Sequence, residues 1–146
     1  MLKNYPPSKE LDKLKKKIVA VNSLSDLFKD DETTREVVDT ADAIGEYLAL
    51  KVRLKTSQLR KIFDKLKNIE ANVKSGKLGD KSLAKEAILL KPILVYTASK
   101  HPRTVGPLVE LLSPAVEKIK NREDFDALIK LTETILAYHR YHGGKD

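Results

Sequence analysis

The sequence predicts an all-α, single-domain bundle of five to six helices, and three observations carry that reading. Apolar residues recur at spacings of three and four along most of the chain, no pair of segments alternates with the period of two that strands need, and capping, proline or glycine signals bracket the helical stretches. A chain of 146 residues can bury roughly two-thirds of the surface its unfolded form exposes, so one domain, 1–146, is enough.

Residues 1–7 read as a loose arm ending in Pro6 and Pro7, which hold the backbone extended. Ser8 is placed to cap a first helix whose apolar stripe is Leu11, Leu14, Ile18 and Val21, with Lys13, Lys15, Lys16 and Lys17 mostly off it. Asn22 to Glu32 reads as a polar, acidic connector. Thr33 and Glu36 then form a capping-box pattern before a second helix with Val37, Ala41, Ile44 and Leu48 on one side.

Thr56 or Ser57 can cap a third helix that runs toward Ser75 and Gly76 and turns Leu59, Ile62, Phe63, Leu66, Ile69 and Val73 to one side. Glu70 falls inside that apolar sector, where only a partly buried ion pair accounts for it. After a connector at Gly76 to Gly79, Leu83 to Tyr96 is apolar on nearly every side, the pattern of a central helix surrounded by others, kinked at Pro92. A short buried strand at Ile93 to Tyr96 would have no partner. His101-Pro102 and Gly106-Pro107 bracket a turn before a fifth helix marked by Leu108, Leu111, Leu112, Ala115, Val116 and Ile119, bent at Pro114. Asn121 caps the last helix, which carries Phe125, Leu128, Ile129, Thr132, Ile135, Leu136 and His139 on one stripe and stops at Gly143-Gly144, leaving residues 143–146 as a tail.

Charge is distributed unevenly. Lysine and arginine number 28 against 21 acidic residues, a net charge of +7 that makes a polyanion the natural partner. Asp30 to Glu46 carries seven acidic residues and one arginine, so a nucleic acid would avoid that stretch, whereas Lys51 to Lys77 carries nine basic and two acidic. On the third helix a rotation of 100° per residue sets Arg60 and Lys67 on one flank of the apolar stripe and Lys61 and Lys65 on the other. Such a helix buries one side and offers cations to phosphates from the other. The plain alternative is a lysine-rich face that meets only water.

Other candidate motifs lack the chemistry they resemble. The chain has no cysteine, which excludes disulfides, thiolate catalysis and zinc ribbons and suits a reducing, cytoplasmic setting. The N-terminus lacks a signal-peptide pattern, and no apolar run approaches a membrane span. His139 and His142 share a helical face but have no acidic ligand at matching spacing on their helix, so no metal is expected. The Gly76 to Ser82 loop lacks the glycine-to-lysine spacing of a phosphate-binding loop, and Ser99, Lys100 and His101 lack a third orienting group. Tyr138 and Tyr141 beside Arg140 match the aromatic-plus-arginine mixture that single-stranded RNA favours, although packing against a neighbouring helix explains them as well.

Several short matches in register carry a family resemblance. Thr56-Ser57-Gln58-Leu59-Arg60-Lys61 opens a helix; Leu90-Lys91-Pro92, Tyr96 to Lys100, and Ala137-Tyr138-His139-Arg140-Tyr141-His142-Gly143-Gly144 follow in order. From about Leu54 to Gly144 the chain resembles the small α-helical subunit of type III-A CRISPR Csm effector complexes. Where that family often has Gly-Arg, this chain has Ser99-Lys100, which keeps the charge and loses the guanidinium fork.

The resemblance implies a non-catalytic, cofactor-free, cytoplasmic subunit in antiviral defence, present in several copies along the crRNA and target RNA. Its implied partners are the backbone subunit, the large subunit and further copies of itself, with a homodimer as an option in isolation and no membrane. Target cleavage would belong to the backbone subunit, and DNA cleavage and cyclic-oligoadenylate synthesis to the large one. The residues expected to hold RNA phosphates, without reading sequence, are Lys55, Arg60, Lys61 and Lys67, helped by Lys91, Lys100, Arg103 and Arg140. A protein-protein scaffold, with the acidic second helix and the basic third pairing to other subunits, is the competing expectation.

Overall fold

A computed structural model describes residues 5–146 and shows six α-helices and no strand among them. Met1–Asn4, part of the expected arm, lie outside the described residues. Beyond them the chain is tied down, because the Tyr5 hydroxyl donates to Glu110 and the Tyr47 hydroxyl donates to the Pro6 carbonyl at 2.5 Å.

Helix α1 (Lys9–Ala20) begins where the Ser8 hydroxyl accepts from the Leu11 amide at 3.1 Å, and it buries Leu11, Leu14 and Ile18. The connector after it is less polar in space than in sequence. Leu24–Phe28 forms a 3₁₀ turn that sinks Leu24 and Leu27 into the core, against α6. Helix α2 (Asp31–Glu46) starts before the expected capping box. Asp30 is the cap, its carboxylate accepting from the Thr33 amide at 2.8 Å, while the Thr33 hydroxyl serves the Asp30 amide. The box thus uses Asp30 and Thr33 in place of Thr33 and Glu36, since a carboxylate is as good an N-cap as a hydroxyl.

The end of α2 loosens into a π-helical stretch, Tyr47–Val52, and Arg53 closes it in the left-handed region with φ 62°. That reversal sends the chain into α3 (Thr56–Lys74). Here too the cap differs from expectation: Lys55 occupies the N-cap position, and Gln58 Oε1 accepts from its amide at 3.1 Å, while Thr56 is buried as the first helical residue. Gly76, with φ +81°, follows the end of α3 in the left-handed conformation that lets the chain turn at little cost.

Helices α4 (Asp80–Lys100), α5 (Gly106–Val116) and α6 (Arg122–Tyr141) complete the bundle. The expected central helix is not α4. It buries only Leu83, Ala87, Leu90 and Leu94, one row along its length, and leaves Ile88, Leu89, Ile93, Val95 and Tyr96 exposed. The central position belongs to α5, which buries seven of its residues and lies against α1 and α4, together with α6, which packs on α2, α3 and the 3₁₀ turn. Pro92 and Pro114 both sit inside helices. Asn121 caps α6 as expected, its side chain accepting from the Asp124 amide at 3.0 Å.

Helices α2 and α6 share the most extensive contact in the bundle. A Cβ on Gly45 would come within 2.6 Å of Tyr138 Cβ and 2.7 Å of the His139 amide nitrogen, so only glycine admits this crossing. Asp124 is fully buried and holds the 3₁₀ turn to α6, accepting from the Ser23 hydroxyl and from the Ser25 and Lys120 amides at 2.9 and 2.8 Å. Burial pushes its carboxyl up, but these hydrogen bonds outweigh burial and hold it below the usual carboxylate range.

Candidate nucleic-acid interface

The third helix carries several of the cations expected to meet phosphates, and the core fixes which of them face outward. Leu59, Ile62 and Leu66 are buried, with Phe63, Ile69 and Val73 packed against the core beside them. Arg60, Lys61, Lys65 and Lys67 therefore emerge on the two flanks of the buried stripe, all four exposed. Among the described residues no carboxylate lies in ion-pair range of Lys55, Arg60, Lys61 or Lys65.

Lys67 differs. Its ammonium holds Glu70 one turn on, and Lys74 reaches the same carboxylate at 3.6 Å. The hydrogen bond from Lys67 keeps the Glu70 carboxyl below its ordinary range, and the same bond raises Lys67. This is the ion pair that accounts for an acidic residue in the apolar sector. It also removes much of the charge Lys67 would offer to a phosphate. Lys91 is likewise engaged, half-buried and 2.8 Å from Glu117.

Of the remaining candidates, one stands at the start of α3. Arg140, exposed in the last turn of α6, stands 3.5 Å from the Thr56 hydroxyl, which puts it beside Lys55. Lys61 lines a cleft that it shares with Thr97 of α4, and Lys100 follows one turn beyond Thr97. Lys100 lies over the Tyr96 ring, 4.6 Å from its centroid, and Arg103 is exposed in the turn after α4. The Ser99 hydroxyl donates to the Tyr96 carbonyl at 2.6 Å, a backbone contact with no nucleophilic geometry.

Two cations were not singled out from sequence. Arg53 and Lys145 join Lys55 around a hollow of about 380 Å³ between the π-helical stretch and the C-terminal tail. The tail is bound there, because the Lys145 carbonyl accepts from the Thr56 amide at 2.9 Å and the Gly144 amide donates to the His139 carbonyl at 2.8 Å. The uneven charge count had included Arg53, but nothing local predicts that residue 145 returns to the start of α3.

The two histidines diverge. His139 is buried and bonds the Leu54 carbonyl at 2.6 Å, whereas His142 contacts Asp42 at 2.6 Å on α2, with Glu46 at 3.8 Å. Among the described residues no group of three or more His, Asp or Glu side chains is placed to hold a metal. None of their helices is long and apolar enough to cross a membrane. Tyr141 is exposed and meets the His142 ring edge-on at 5.0 Å, while Tyr138 is half-buried.

The described residues define a small all-α protein with an unevenly charged surface. Comparison with known proteins gives the family: the model of the family described as Csm2 Type III-A matches residues 31–145. The Streptococcus thermophilus protein called CRISPR system Cms protein Csm2 is 30% identical over 107 residues, covering 72% of this chain and 82% of that protein. No solved structure matches. The chain belongs to the Csm2 family, the small subunits of type III-A CRISPR Csm complexes.

Proposed function

We propose that this subunit holds RNA in the Csm complex through sequence-independent phosphate contacts and performs no catalysis. The observation that carries the reading is the set of unpaired, exposed cations on and beside α3: Lys55, Arg60 and Lys61, with Arg140 close to the first of them. Each ammonium or guanidinium that replaces condensed counterions on a phosphate gains affinity without sensing the base. Lys100 at the end of α4 and Arg103 in the turn after it add further exposed cations, and Lys67 and Lys91, already held by Glu70 and Glu117, contribute less. In this reading several cytoplasmic copies lie along the crRNA and target RNA and bridge the backbone and large subunits, supporting antiviral defence while the guide supplies specificity.

A scaffold role is the second reading, and the acidic outer surface of α2 favours it, since Asp31, Glu32 and Asp39 are exposed. Reconstituting the complex with Arg60→Glu and Lys61→Glu separates the two. Intact assembly with weakened target RNA is the result expected of RNA contact; failed assembly would assign these residues to subunit contacts instead.

A further inference from the structure

Helix α4 is apolar on both faces but buried on one. Its inner row packs into the bundle, while two outer rows, Ile88–Pro92–Val95 and Leu89–Ile93–Tyr96, repeat at i, i+4 and i+7 and remain uncovered. Val95 is 53% and Tyr96 62% exposed. The outward apolar area is on the order of 500 Å², at the upper end of what a monomer ordinarily leaves bare.

This face adjoins a cleft of about 260 Å³ between α3 and α4, floored by aliphatic side chains that include Leu66, Leu94 and Leu112. Ile93 belongs to both the cleft and the exposed face. On the opposite lip stand Lys61 and Lys65, with Asp64 the one carboxylate lining the cleft. Lys85 and Lys100 border the apolar rows on α4 itself, where Glu86 is half-buried.

We infer that the α3–α4 cleft and the outer rows of α4 dock an amphipathic helix of another protein subunit. That helix carries a bulky apolar side chain for the cleft and carboxylates that meet Lys61, Lys65, Lys85 and Lys100. Charge decides the occupant. A second copy placed face to face would oppose lysine to lysine, and the chain's own acidic helix, α2, keeps its apolar stripe of Val37, Ala41, Ile44 and Leu48 in the core. RNA would find aliphatic walls to stack on, and the one exposed ring there, Tyr96, already carries Lys100. A planar lipid surface would not fill a concave cleft. This inference goes beyond RNA holding and stands without it, although Lys61 and Lys100 serve both.

The test is photo-crosslinking in the assembled Csm complex, with Ile93 replaced by a benzophenone-bearing phenylalanine. The expected product joins position 93 to a segment of a different subunit with an apolar i, i+4, i+7 stripe bordered by Asp or Glu. A cross-link to RNA, to a second copy, to a subunit segment of other character, or no cross-link overturns the inference. Ile93→Glu, a surface change that leaves the core intact, should lower incorporation into the complex by about tenfold. RNA affinity of the free chain should stay within about twofold of the parent. Normal incorporation of Ile93→Glu overturns the docking site without touching the RNA reading, and loss of RNA affinity alone would assign Ile93 to the RNA surface.

Discussion

His139 donates from Nε2 to the Leu54 carbonyl at 2.6 Å, so the last turn of α6 grips the segment from which the basic helix springs. The carbonyl can only accept, which leaves Nδ1 as a bare lone pair, buried and unpartnered among the described residues. Burial depresses this imidazole below its ordinary value of 6.5; the Leu54 bond opposes that and Arg140 adds to it. The unfolded chain therefore takes up a proton here before the folded one does. Stability is full above about pH 6.5 and is lost as pH falls below it. The melting temperature should drop between about pH 7.5 and pH 5.5, and His139→Phe should flatten that dependence while costing about 1–3 kcal/mol at pH 7.5 through the orphaned carbonyl. An unchanged pH profile in the variant would remove His139 as its cause.

Asp124 is a second polar anchor with the opposite chemistry, a carboxylate kept ionised by its hydrogen bonds. Its contribution is present above the ordinary carboxylate pKa and lost as pH falls through the lower folded value. Asp124→Ala strands the Ser23 hydroxyl and the Ser25 and Lys120 amides, and chemical denaturation should show a loss of about 1–3 kcal/mol. RNA affinity of the folded fraction should be unaltered.

Gly45 marks the closest approach of α2 and α6. Alanine has the higher helix propensity, yet its Cβ would press on the Tyr138 and His139 backbone, which cannot yield as a flexible side chain does. Gly45→Ala should destabilise the fold by about 1–3 kcal/mol in thermal or urea unfolding, where an open helical site would gain stability from the same change.

Not all lysines named from sequence should matter equally. Arg60→Ala and Lys61→Ala should each weaken RNA binding several-fold at low salt, whereas Lys67→Ala and Lys91→Ala should change it by less than about twofold, because Glu70 and Glu117 already hold those ammonium groups. Equal losses at all four positions in filter binding would show that the intramolecular pairs open freely for RNA.

Periodicity made most helices legible, since the spacing of Leu59, Ile62 and Leu66 or of Phe125, Leu128 and Thr132 leaves one way to bury them. The caps at Ser8 and Asn121 were equally plain. Helix α4 misled because an apolar row reads the same whether the bundle or another molecule covers it. The 3₁₀ turn at Leu24–Phe28 is too short to carry a helical period, and the π-helical stretch with left-handed Arg53 depends on tertiary packing that no local pattern records. Positive charge was visible by counting. The pairing of Lys91 with Glu117 was not, because it spans two helices.

The salt dependence of RNA binding by the isolated chain bears most directly on the basic face of α3. For single-stranded RNA, log K against log salt should fall with a slope of about 0.7 per phosphate contact, and Arg60→Glu with Lys61→Glu should make it shallower by about 1.4. A parent slope near zero, or a double variant with the parent's slope and affinity, would contradict the assignment of that surface to RNA.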